Sequence, residues 1–131
     1  MKRKTLQVLI LEPNHLQCDL LKVALIRNNM NPIICNEPGA LRQQLLECFP
    51  DVLLIDTHLP GQNGLELIRQ LDSEILLQRT KVFFISSLGY TEIIQKAVQL
   101  GASGFLVKPL DPDLLVSRIL ESCKQPMDIA M

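Results

Sequence analysis

A chain of 131 residues with 13 Lys and Arg against 14 Asp and Glu, a formal charge of -1, has the size of one domain and no electrostatic reason to bind nucleic acid or an anionic membrane. At that length it buries roughly two-thirds of the surface its unfolded form exposes and needs no staple. The cysteines Cys18, Cys35, Cys48 and Cys123 form no C-x-x-C pair and have no histidine at zinc spacing, so they read as buried thiols in a reducing compartment.

The start MKRKTLQVLILEP is basic and then apolar, and Glu12 and Pro13 cut the apolar run short of a signal peptide or membrane span. A soluble, cytoplasmic protein is expected. The first strand is predicted over Gln7 to Leu11, and a helix follows with Leu16, Leu20, Val23 and Ala24 as its apolar stripe. A second strand over Pro32 to Cys35 leads to a helix marked by Leu41, Leu45 and Leu46, whose LLEC segment should face the core. The third strand, Asp51 to Ile55, precedes a helix carrying Leu65, Ile68 and Leu71. LDSEILLQRTK is expected to extend that helix and then loop, with EILLQ facing the core.

A fourth strand over Lys81 to Ser86 is followed by a helix with Ile93, Ala97 and Val98, and Gly101 and Gly104 bracket a sharp return into a fifth strand, Gly104 to Val107. In DPDLL, Asp111 is placed to cap, Pro112 suits the first helical position and Asp113 puts negative charge in the first turn. That last helix carries Leu114, Leu115, Ile119 and Leu120. Residues 1–124 are expected to form one domain and 125–131 a flexible tail or the start of a linker.

Strand and helix thus alternate five times, which predicts an α/β fold. Crossovers of about a dozen residues or more require a parallel sheet with helices on both faces. The common five-stranded order is 2-1-3-4-5, with its ligand crevice at the carboxyl ends of the first and third strands. Past those ends stand Glu12 and Pro13, then Asp56, Thr57 and His58, then Ser86 and Ser87, and finally Lys108 and Pro109. A carboxylate flanked by a second acid, a hydroxyl and an ammonium suits phosphoryl transfer, which asks for an in-line nucleophile and compensation of charge on the equatorial oxygens.

Over nearly its whole length the chain resembles the receiver domain of bacterial two-component response regulators, in its chemotaxis-regulator-like form. The matching pieces are LQVLILE, DVLLIDTHLPGQNGLELI, KVFFISS and GASGFLVKPL. The resemblance implies a doubly wound, flavodoxin-like (βα)5 sandwich acting as a signalling phosphoacceptor, not an enzyme beyond assisting its own phosphoryl transfer. It also implies that Asp56 accepts a phosphoryl group from a histidine kinase or phosphotransfer protein. Glu12, Asp56 and the His58 backbone carbonyl would hold Mg²⁺, Ser86 and Lys108 would contact the phosphoryl oxygens, and Ser86 and Phe105 would form the switch. Lys108-Pro109 would be a cis peptide that aims the lysine inward. The output would go to a downstream protein or a covalently linked effector. Tyr90 with Ile93, Ile94, Ala97 and Val98 makes the fourth helix broadly apolar, a candidate surface for a partner or for a homodimer through the fourth helix, fifth strand and fifth helix.

The family's second acid after the first strand is here Pro13, which offers no carboxylate and no backbone donor, so weaker Mg²⁺ binding is expected. The alternative is a degenerate receiver that docks partners without being phosphorylated. His58 could instead ligate a transition ion through its ring, against which stands an exposed loop histidine with only its backbone near the pocket; His15 reads as a surface residue. DTHLPG also satisfies the D-x-H-x-x-G pattern of cobalamin-binding domains, with His58 as ligand, but it follows the third strand where that family has it after the first. No G-x-G-x-x-G, G-x-x-x-x-G-K-[ST] or G-x-S-x-G is present, which excludes the common dinucleotide, triphosphate and serine-hydrolase sites.

Overall fold

The computed structural model describes residues 5–71 and 79–124. In chain order it contains β1 (Gln7–Leu11), α1 (His15–Arg27), β2 (Asn31–Ile34), a 3-10 turn (Pro38–Ala40), α2 (Leu41–Cys48), β3 (Val52–Asp56), the short strands β4 (His58–Leu59) and β5 (Gln62–Asn63), and α3 (Gly64–Gln70). Beyond residue 78 come β6 (Lys81–Ser86), α4 (Thr91–Gln99), β7 (Gly104–Val107) and α5 (Pro112–Ser122). The main sheet has the order β2-β1-β3-β6-β7, parallel at every pairing, which is the predicted 2-1-3-4-5 arrangement. The first, fourth and fifth strands have the predicted bounds. The second runs from Asn31 to Ile34 rather than from Pro32 to Cys35, and the third from Val52 to Asp56 rather than from Asp51 to Ile55, each displaced by one residue.

The strands alternate their side chains between two apolar clusters, as a period of two demands. Val8, Ile10, Val52, Leu54, Phe83, Ile85 and Leu106 pack with Leu21 and Leu25 of α1 and Leu115 and Ile119 of α5. Leu9, Leu53, Ile55, Val82 and Phe84 pack on the other face with Leu41 and Leu45 of α2, Leu65 and Ile68 of α3 and Ala97 of α4. β3 and β6 are buried on both sides, which is why they read as continuous apolar runs.

Helix α1 corrects the predicted stripe. It buries Cys18, Leu21, Ala24 and Leu25 and leaves Leu16 69%, Leu20 52% and Val23 50% exposed. HLQCDLLKVALIR is apolar on both sides, so its period fits two rotations of the helix, and packing against β1 and α5 selects the one with the smaller Cys18 and Ala24 inside. Elsewhere the helices face the core as predicted at Leu41, Leu45, Leu65, Ile68, Ala97, Leu115 and Ile119, and Leu71 is buried just past the end of α3. Leu46, Val98, Leu114 and Leu120 are exposed, Ile93 is half-buried, and Val116 takes an inward position instead.

Helix α3 does not continue as expected: it ends at Gln70, where Leu71 turns extended. The rest of LDSEILLQRTK through Gln78, including EILLQ, lies outside the described residues, as does the 125–131 tail. Asp111 caps α5 as predicted, accepting the Asp113 and Leu114 N–H groups, with Pro112 in the first turn. Gly101 takes φ +86, the left-handed turn the return needs. At Gly104 a Cβ would lie 2.6 Å from the Phe83 ring. The four cysteines are free. Cys18 and Cys35 are buried as expected, and burial pushes their thiols up, whereas Cys48 and Cys123 are only half-buried.

Candidate functional site

The alternation that builds the core also sorts the polar residues at the carboxyl rim. Two residues past Ile10, Leu54 and Leu106, which pack on the α1 and α5 side, stand Glu12, Asp56 and Lys108. Two residues past Ile55 and Phe84, which pack on the α2, α3 and α4 side, stand Thr57 and Ser86. Two groups result, adjacent across β3 and β6.

In the first group the ammonium of Lys108 lies 2.5 Å from Asp56 Oδ2 and 3.0 Å from Glu12 Oε1, bringing together the last residue of β3 and the residues just past β7 and β1. The carboxylates are almost wholly enclosed, with side chains 5% and 1% exposed, and Lys108 is 19% exposed. Asp56 Oδ1 accepts the His58 N–H at 2.7 Å, and Glu12 Oε2 accepts the Asn14 N–H at 3.0 Å. Glu12 Oε1 faces Lys108 but has no aligned hydrogen-bond donor. Burial pushes the Glu12 carboxyl up, beyond what the Asn14 N–H and Lys108 pull back. Burial works against the Lys108 charge too, but the Asp56 and Glu12 carboxylates outweigh it and hold the ammonium above the usual lysine value. Two acids and one base leave this cluster with a formal charge of -1.

In the second group the Ser86 hydroxyl is fully buried, accepting the Thr57 hydroxyl at 2.7 Å and the Leu88 N–H at 3.0 Å. Thr57 is pinned by its backbone, its N–H donating to Ile85 O at 2.9 Å and its carbonyl accepting Gly64 N–H at 2.8 Å. Gly64 brings the loop against β3: a Cβ there would sit 2.2 Å from the Asp56 carbonyl oxygen. The strands β4 and β5 pair antiparallel around Gly61, whose φ of +75 makes the turn, a hairpin the sequence reading missed.

Of the predicted site residues, Lys108 is in direct contact with both Glu12 and Asp56. Ser86 ends the neighbouring strand, bonded to Thr57. Phe105 is half-buried and packs beside the cluster containing Phe84 and Ala97. His58 exposes its side chain and turns its backbone toward Asp56, the arrangement of the loop-histidine reading. Its ring Nδ1 lies 3.3 Å from the Thr57 hydroxyl. His15 is exposed. The Lys108-Pro109 peptide is cis. The reading passed over Thr57 as a partner of Ser86, although register could have found it: Asp56 pairs with Ile85, so the next residues on both strands are neighbours.

Among the described residues no group of three or more His, Cys, Asp or Glu side chains is arranged to hold a metal. Mg²⁺ nevertheless fits the donor set, because it needs only one or two carboxylates and keeps several waters, and Glu12 Oε1 is a buried oxygen without an aligned donor. No described helix is long and apolar enough to cross a membrane.

The family model for the response regulator receiver domain matches residues 8–120. The phosphate regulon transcriptional regulatory protein PhoB of Klebsiella pneumoniae is 28% identical over 113 residues, covering 86% of this chain and 49% of that protein. PhoB of Escherichia coli K12 is 27% identical over the same shares. The chain therefore spans about half the length of these curated relatives. Among solved structures, the chemotaxis response regulator CheY4 of Vibrio cholerae superposes with a TM-score of 0.81 at 18% identity, over 91% of this chain and 99% of that one. The BeF3-activated receiver domain of Klebsiella pneumoniae RstA gives 0.81 at 21% identity, over 91% and 99%. At those identities the superpositions speak for the fold alone.

Proposed function

The chain belongs to the response regulator receiver domain family, and from that premise we propose that Asp56 accepts a phosphoryl group from a histidine kinase or phosphotransfer protein. The observation that carries this reading is the Lys108 ammonium seated on a nearly enclosed Asp56 carboxylate. An Asp56 oxygen attacks phosphorus in line, the new O–P bond forms as the donor's N–P bond breaks, and the electron pair returns to the imidazole nitrogen. Lys108 then pairs with the phosphoryl oxygens and the Ser86 O–H donates to one of them. Glu12, Asp56 and the His58 carbonyl would hold Mg²⁺, which when bound supplies positive charge against those oxygens. The charge added at Asp56 biases a two-state equilibrium through Ser86 and Phe105.

A donor protein must touch the rim around Asp56. Helix α1 starts there, and its exposed Leu16, Leu20, Val23 and Ile26 form an unpartnered apolar stripe leading away from Glu12. That stripe is assigned to a helix of the phosphodonor. Tyr90, Val98 and Val107, also exposed, support the surface of α4, β7 and α5 as the output or homodimer face toward a downstream protein or linked effector. Residues 1–124 are read as the receiver unit and 125–131 as its tail or a linker, in a protein working in the cytoplasm.

One observation favours a second reading. Pro13 stands where the family has an acid, and Lys108 already bridges both carboxylates, so a pocket content without metal would suit an unphosphorylated docking module. Cobalamin binding draws no such support, since DTHLPG closes β3 of a receiver sheet.

Incubation with a small acyl phosphate and millimolar Mg²⁺, read by intact mass, separates these readings. The expected result is one phosphoryl group on the wild type and none on Asp56→Asn. No adduct on the wild type would overturn the phosphoacceptor reading in favour of the docking module.

A further inference from the structure

Resting on that reading, we infer that Thr57 is a positioning residue whose hydroxyl holds the Ser86 hydroxyl and leaves its proton free for the phosphoryl group on Asp56. A serine oxygen has two acceptor sites and one proton. At Ser86 the Leu88 N–H, 3.0 Å away, takes one acceptor site, and the Thr57 hydroxyl, 2.7 Å away, takes the other. With the Thr57 hydroxyl donating to Ser86 at 2.7 Å rather than to His58 Nδ1 at 3.3 Å, the hydrogen-bonding capacity left on Ser86 is its proton. Both side chains are out of contact with bulk water, Thr57 2% and Ser86 0% exposed, so no solvent molecule competes for these positions.

Thr57 is well held for the task. Its N–H and C=O are bonded to Ile85 and Gly64 on opposite sides, and branching at Cβ restricts χ1. A hydroxyl that accepts two hydrogen bonds is also polarised into a stronger donor. An apolar residue of the same shape would fill the space but leave Ser86 one partner short and free to rotate.

The test is beryllofluoride affinity in the presence of Mg²⁺, for the wild type, Thr57→Val, Thr57→Ser, Ser86→Ala and the Thr57→Val/Ser86→Ala pair. Thr57→Val should weaken binding about fivefold to tenfold, the worth of one hydrogen bond, while Thr57→Ser stays within about threefold of the wild type. In the Ser86→Ala background Thr57→Val should add nothing, which a merely structural role would not produce. Urea unfolding checks that each variant is folded, and Thr57→Ala takes the place of Thr57→Val should the latter not fold. Wild-type affinity in Thr57→Val, or an equal loss with and without Ser86, overturns the positioning role alone. A wild type that binds no beryllofluoride overturns the phosphoacceptor reading and this role with it.

Discussion

Lys108 and Asp56 stand 52 positions apart in the chain and meet Nζ to Oδ2 at 2.5 Å, while the same ammonium lies 3.0 Å from Glu12 Oε1. One base thus neutralises half the charge of two enclosed acids. Removing it leaves two buried carboxylates with one backbone N–H each, from His58 and Asn14, and no positive charge to offset their desolvation.

Lys108→Met is therefore expected to cost about 3 kcal/mol at neutral pH, the low end for breaking a buried pair because Lys108 keeps some contact with water. Adding Asp56→Asn should recover part of that loss, since one of the stranded charges is gone. Urea unfolding of the two variants and the wild type measures both. A loss under about 1 kcal/mol for Lys108→Met would mean the pair behaves as a surface ion pair.

Gly64→Ala places a methyl where the Asp56 carbonyl oxygen already sits, at 2.2 Å. The obstacle is backbone, so the loop must shift, breaking the Gly64 N–H bond to Thr57 O. The expected cost is about 1–3 kcal/mol, with weaker beryllofluoride binding because Asp56 and Thr57 move together. An alanine variant as stable as the wild type would show that the loop yields freely.

Pro13 is exposed at the turn between β1 and α1, next to Glu12. Pro13→Asp supplies the carboxylate that the proline lacks, and the Mg²⁺ concentration giving half-maximal beryllofluoride binding should fall about tenfold, or about 1.4 kcal/mol. An unchanged midpoint would show that the proline is not what limits the metal.

Leu20 is 52% exposed at the middle of the α1 stripe. Leu20→Lys should leave stability within about 0.5 kcal/mol and leave labelling by a small acyl phosphate unchanged. Transfer from a phosphorylated donor protein should drop about tenfold or more, as for a buried interface anchor. Equal transfer rates would remove α1 from the docking face.

Those predictions draw unevenly on what could be read before any coordinates. Strands β3 and β6 were legible because burial on both faces leaves the continuous runs VLLI, between Asp51 and Asp56, and VFFI, between Lys81 and Ser86, whereas the two-residue strands β4 and β5 carry no such run. Asp111 and Pro112 announced the start of α5 because capping is a local hydrogen bond. Helix α1 was legible as a helix but not in its rotation, since HLQCDLLKVALIR offers two apolar sides. Thr57 was passed over for a related reason: a threonine beside a candidate nucleophile looks like any strand residue until the register of β3 on β6 sets it against Ser86.

By itself, then, the order of residues determined the alternation of strand and helix, the parallel sheet that this alternation forces, and the set of acids, hydroxyl and lysine at its carboxyl rim. Those follow from local periodicity and from the few ways right-handed crossovers can close. The tertiary structure decided which of those groups touch. Lys108 bridges Glu12 and Asp56 while Ser86 bonds Thr57, because the register of the strands sets which residues at and just past their ends become neighbours. That register is settled by packing between strands distant in sequence.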